Sequence, residues 1–133
     1  MLRNHGLCDA GLQAVFRSVV VAKIFYASTA WSGFITATDR QRVDAFLRRS
    51  KRCGFCPPAL PSFELLLEDA DQQLFNMINS NVQHVLHRLL PPPSVASQHY
   101  ELRRRAHSRE LPARTGRLTD SNFVNRVLFM DIY

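Results

Sequence analysis

Apolar positions are densest between Asp9 and Trp31 (DAGLQAVFRSVVVAKIFYASTAW), a proline-free stretch of about six helical turns. The spacing predicts one uninterrupted helix with Asp9 as its N-cap. At roughly 100° per residue, Leu12, Val15, Phe16, Val19, Val20, Ala22, Tyr26, Ala27, Ala30 and Trp31 share one broad face expected to be buried. Arg17, Ser18, Ser28 and Thr29 lie opposite. Lys23 interrupts the apolar arc, where an unpaired ammonium is costly. Either its stem lies on apolar surface while its charge reaches water or a carboxylate such as Glu64 or Glu68, or it reaches a bound phosphate.

Ser32 and Gly33 stop this helix, and Thr38 with Gln41 has the spacing of a capping box for a second one, expected over Asp39 to Arg52. Its apolar stripe is narrow, Val43, Phe46 and Leu47, and most of the remaining surface is basic. The glycine and prolines of CGFCPPALP (53–61) predict a linker or a pinned loop. Ser62 is positioned to cap a third helix through Leu65, Leu66 and Leu67, with Asp69 and Gln72 capping or continuing it through Phe75 and Ile78. Val82, Val85, Leu86, Leu89 and Leu90 then resume helical spacing. Beyond Pro91–Pro93 a Ser- and Arg-rich stretch to Gly116 predicts extended, mobile chain without a core. Thr119 or Asp120 is expected to cap a final helix carrying Phe123, Val127 and Leu128.

The expected fold class is therefore all-α: a small helical bundle around one long apolar helix, with an extended basic tail and a short C-terminal helix. The boundaries read as a helical domain over 1–90, a Pro/Arg-rich linker over 91–117 and the last helix over 118–133. A chain of 133 residues with 46% hydrophobic content has room for one modest core. A membrane span is not expected, because Lys23, five Ser or Thr and Gly33 dilute the window from Ser18 to Ala37. Three cysteines form no disulfide framework, which favours a reducing intracellular location, nuclear or cytoplasmic.

A net charge of +6 favours an anionic partner, and its distribution is more informative than its size. Residues 39–52 carry six Lys or Arg against two acids, 53–90 one against four, and 91–117 six against two. Arg40, Arg42, Arg48, Arg49, Lys51 and Arg52 on the second helix can follow a nucleic-acid backbone through phosphate contacts without reading sequence. Arg103, Arg104 and Arg105 after Tyr100 form a second basic element, with an aromatic able to stack on a base. The competing reading is a solvated charged face and a soluble tail. Cys53 and Cys56 have zinc-ligand spacing, and His84 with His87 complete a Cys2His2 set on paper, but two ordinary thiols and two helix histidines explain them as well. No metal site is expected. The sequence has no GxSxG, P-loop or HExxH, and no adjacent Asp pair of the kind that holds two metal ions for nucleotidyl transfer. A free-standing enzyme is not expected.

The chain resembles the C-terminal end of jockey-like non-LTR (LINE-type) retrotransposon reverse transcriptases. The resemblance rests on the apolar helix closing on FYASTAW (25–31), the basic helix, LPSFELLLEDADQQLF (60–75), HVLHRLLPPP (84–93) and LTDSNFVNRVLFMDIY (118–133). It implies a thumb that holds a template–primer duplex for a palm domain lying outside this chain, where the parent polymerase would use magnesium. The resemblance implies no catalysis by these residues themselves and no cofactor. The family's aromatic-Ala-Asp-Asp signature is absent, and Met1 falls where thumb would join palm, as in a truncated reading frame. The expected function is thus a reverse-transcriptase thumb fragment. An independent basic nucleic-acid-binding module and an inert helical remnant are the alternatives.

Overall fold

A computed structural model describes residues 6–95 and 107–130, and the fold is all-α. Among the described residues there is no strand, only an isolated antiparallel bridge between Pro93 and Arg109. The elements are α1 (Asp9–Val15), a π-helical segment (Phe16–Val21), α2 (Ala22–Phe25), α3 (Ser28–Trp31), α4 (Ala37–Arg52), α5 (Phe63–Ser80), a 3-10 turn (His87–Leu89), α6 (Arg117–Asp120) and α7 (Phe123–Leu128). The chain divides into two compact units, Met1–Glu68 and Asp69–Tyr133, with the boundary inside α5 rather than at the proline run. Each unit has its own small cluster of buried residues, where composition predicted one core.

The N-terminal helix departs most from expectation. It is interrupted twice, and Asp9 is its first residue rather than its cap; Cys8 occupies that position without a side-chain bond. Phe16–Val21 form a π-helical segment, whose wider turn shifts every later residue off the 3.6 spacing. At Tyr26–Ala27 the helix breaks, and Ala27 takes a left-handed φ of 50°, a conformation that costs a non-glycine residue about 1 kcal/mol. The Trp31 indole N–H donates to the Tyr26 carbonyl at 2.9 Å, satisfying an acceptor near the break.

The consequence is a rotated burial pattern. Leu12 and Phe16 are buried, but Val15, Val19 and Tyr26 of the expected inner face are exposed, Tyr26 by 76%. Ser28, expected outside, is buried. Lys23 is exposed and makes no hydrogen bond or ion pair with a described residue, so of water and a carboxylate it is water that its charge reaches. By length and composition Asp9–Trp31 is apolar enough to cross a membrane, with a mean hydropathy of 1.3 over its most apolar window; core helices and signal sequences meet the same criterion.

In the first unit, Leu47, Phe63 and Leu67 form the core, with Ile24, Phe25, Trp31, Ile35, Val43 and Leu60 packed around them. α4 begins two residues earlier than predicted because Thr36, not Thr38, is the cap. The Thr36 hydroxyl accepts from the Asp39 amide at 3.1 Å and donates to the Asp39 carboxylate at 2.7 Å, a reciprocal pair that Thr38–Gln41 does not make. α4 ends in a Schellman motif. Gly54, at φ 73°, donates to the Lys51 carbonyl at 2.9 Å, and Phe55 to the Ser50 carbonyl at 2.9 Å. The loop that follows is pinned: Lys51 Nζ donates to the Leu60 carbonyl, and Cys56 is buried. The start of α5 is doubly capped, by Asp44 on the Phe63 amide at 3.3 Å and by Ser62 on the Leu65 amide at 3.3 Å.

In the second unit, Phe75, Val127 and Leu128 are buried together against Leu90, Leu111, Phe123 and Val124. The helix does not resume after Asn81, because local side-chain bonds compete with it: Asn81 Oδ1 accepts from the Gln83 amide and His84 Nδ1 from the Leu86 amide. Val82, Val85 and Leu89 are consequently exposed. The stretch after the prolines is not coreless as predicted. Prolines lack donors but keep carbonyls, and Pro92 accepts from the Glu110 amide at 2.9 Å and Pro91 from Arg109 Nη1 at 3.1 Å. Arg109 also grips Asn79 Oδ1 at 2.9 and 3.2 Å. The His107 ring accepts from the Arg109 amide at Nδ1, so Nε2 carries the proton given to the Leu128 carbonyl at 2.9 Å. α7 is capped by Asn122, whose Oδ1 accepts from the Asn125 amide, rather than by Thr119 or Asp120.

The Schellman glycine gives a direct test of how α4 is terminated. Gly54→Ala places a Cβ on a left-handed residue and is expected to destabilise the protein by about 1 kcal/mol. Denaturant unfolding measures this, and an unchanged midpoint would show that α4 does not end on this motif.

Candidate nucleic-acid interface

α4 is a 16-residue helix whose inward positions, Val43, Leu47 and Ser50, recur at i, i+4 and i+7. That spacing turns Arg42, Arg48, Arg49 and Arg52 to the other side, and all four are exposed. Lys51 and Arg40 lie at the edge of the buried stripe, which decides their fate. Arg40 donates to the Ser32 carbonyl at 3.0 Å and stands 4.0 Å from Glu64. Lys51 is committed to the Leu60 carbonyl. Both hold the unit together.

The outward four differ among themselves. Arg42 pairs with Asp39 at 3.4 Å on the same helix. Arg48, Arg49 and Arg52 make no hydrogen bond or ion pair with any described residue. They line, with Ala45 and Lys51, a surface depression of about 500 Å³. Three guanidiniums within five residues of helix, all at its C-terminal end, create a concentrated positive field, and none of the three is in an ion pair with a described residue. The same end is where cations are favoured by the helix dipole, so folding alone accounts for their position there.

Of the ten basic residues proposed from sequence, the structure thus groups Arg42, Arg48, Arg49 and Arg52 on one exposed face and diverts Arg40 and Lys51 to internal bonds. Lys23 is exposed on a different element, α2. Arg103, Arg104 and Arg105, with Tyr100, lie outside the described residues.

The thiols offer no ready ligand set. Burial pushes the Cys56 thiol up, with the Lys51 ammonium acting weakly the other way, and Cys53 and Cys8 are exposed and free. Among the described residues no three His, Cys, Asp or Glu side chains come together as a metal would require.

Sequence reading did not find the partnership of Asp71 with Arg126, 55 positions apart. Asp71 is buried in the second unit and accepts from Arg126 Nη2 at 2.6 Å and Nε at 3.0 Å. Arg126 Nη1 also holds the Ser121 carbonyl at 3.1 Å, so one side chain ties α5 to the turn before α7. No periodic signal marks such a pair; an Arg on a short, largely apolar terminal helix was the available hint.

Comparison of the chain with known protein families, curated proteins and solved structures finds no match in any of the three.

Burial raises the Asp71 carboxyl above its ordinary value, and the hydrogen bond and charge of Arg126 pull it only partly back. A carboxyl raised in the folded state contributes stability that is full below its ordinary value and is lost as pH rises through the raised one. The penalty of Asp71→Asn is therefore expected to be largest in acid and to shrink toward neutrality. Denaturant unfolding of both proteins between about pH 3 and pH 7 measures it. A penalty that grows with pH would show that Arg126 outweighs burial.

Proposed function

We propose that this chain binds nucleic acid through its phosphate backbone, without reading sequence, and that it does so as a thumb-like piece of a non-LTR reverse transcriptase. The observation that carries the binding is the set of free guanidiniums on Arg48, Arg49 and Arg52, exposed on one helix and unpaired among the described residues. The parent is supported only by the resemblance of YASTAW on an apolar helix, LHRLLPPP and the final LTDSNFVNRVLF. Polymerisation is not assigned to these residues, since the sequence has no adjacent Asp pair.

Arginine suits this role. Its planar fork meets phosphate oxygens bidentately and stays charged at any working pH. Three such contacts predict a log–log salt slope of about −2.7 on duplex DNA. Fluorescence anisotropy of a labelled duplex at several salt concentrations reads it directly. Arg48→Ala with Arg49→Ala is expected to flatten the slope by about 1.8 and to weaken RNA and DNA duplexes alike, with helix content unchanged. Glu68→Gln, on an exposed residue, should not weaken binding. Absence of salt-dependent binding by the wild type, or full binding by the double variant, would reduce these arginines to a solvated face.

A further inference from the structure

Beside the arginine cluster, Ile24, Asp39, Arg42, Val43, Phe46 and Arg49 line a second depression of about 480 Å³ on the first unit. Phe46 is unusual there. It stacks on Phe16 at a centroid distance of 6.2 Å and 22°, Phe16 stacks in turn on Phe55 at 6.4 Å and 12°, and Phe46 remains 37% exposed. The ring is backed on one side by its neighbour and is still open to solvent. On α4, Arg42 and Arg49 stand four residues before and three after it, which puts one guanidinium about a turn to either side.

We propose that this depression is a subsite for one unpaired nucleobase, which stacks on Phe46 while its flanking phosphate is held by Arg49. The proposal rests on the nucleic-acid reading above and narrows its substrate to a strand with at least one unpaired base. The charges set the polarity of the site. Arg42 is already paired with Asp39 at 3.4 Å, and the Asp39 carboxylate repels phosphate, whereas Arg49 has no partner among the described residues. The phosphate belongs at the Arg49 end. Asp39 and Arg42, an acceptor and a donor, then face the base edge without selecting one base. Bases inside a duplex have both faces covered by their neighbours, so only an unpaired base can use the ring.

The test separates stacking from charge. A labelled oligothymidylate of about 12 nucleotides is compared with an abasic strand of the same length and charge, using the full chain. The wild type is expected to bind the base-bearing strand about fivefold more tightly, the low end of a single base–aromatic stack. Phe46→Leu keeps an apolar contact for Phe16 but removes the planar face, and should bring that ratio to about one; Phe46→Trp should preserve it. Circular dichroism confirms that both variants keep their helices. Arg48→Ala with Arg52→Ala should weaken both strands while leaving the ratio intact. Equal wild-type affinity for the two strands, or an unchanged ratio in Phe46→Leu, overturns the subsite and leaves backbone binding standing. Failure to bind either strand at any salt concentration overturns both.

Discussion

The ring and amide of Phe63 fix the first unit. The side chain is 1% exposed, 5.6 Å from Phe25 and 6.4 Å from Trp31 between centroids, and shares a cluster with Leu47 and Leu67. Its backbone N–H, one of the donors that a helix start leaves free, is taken by Asp44 of α4. One residue therefore carries both the largest apolar contribution to this core and the polar link that orients α4 against the start of α5. An aromatic ring buried at such a junction contributes several kcal/mol, and truncation to Ala typically costs about 3–5 kcal/mol. With the inner face of α4 committed to Phe63, the outer face must be the one bearing Arg48, Arg49 and Arg52.

That constraint explains how one helix keeps some of its charges and spends others. Arg40 and Lys51 sit where the helix meets the rest of the unit, and their donors go to the carbonyls of Ser32 and Leu60, which lie in irregular segments without regular ladder partners. Arg48, Arg49 and Arg52 donate to no described carbonyl or carboxylate. The helix dipole favours their charge at this end, and their guanidinium donors are left to an external partner. The exposed edge of Phe46 arises similarly: in the Phe46–Phe16–Phe55 stack the central Phe16 is buried and the two outer rings are only partly covered.

The sequence made the all-α class legible, along with α4, the start of α5 at Ser62 and the apolar terminal helix, because each has strong periodicity or an unambiguous cap. The errors have physical causes. A π-helical segment and a left-handed Ala27 rotate the N-terminal helix, and neither leaves a mark in residue spacing, so Val19 and Tyr26 were placed inside and Ser28 outside. The order of residues 107–111 depends on His107 and Arg109 finding acceptors on Leu128, Asn79 and Pro91, which are 12 or more residues away. Composition sees only the Ser, Arg and Pro content there. For the candidate interface, the basic face was visible as a run of charges. Which of them are free depends on the helix phase relative to Phe63, and on carbonyls that only the folded chain presents.

The division of α4 into structural and available charges is tested most directly by two variants that change net charge equally, Lys51→Met and Arg52→Met. The measurement is the salt dependence of duplex binding, with unfolding midpoints taken on the same samples. Arg52→Met is expected to flatten the log–log slope by about 0.9 while leaving stability within about 0.5 kcal/mol. Lys51→Met is expected to keep the slope and to lose about 1 kcal/mol of stability, as the Leu60 carbonyl loses its donor. Equal flattening by the two variants would contradict the account, since net charge alone would then govern binding and the folded positions of these residues would be irrelevant to it.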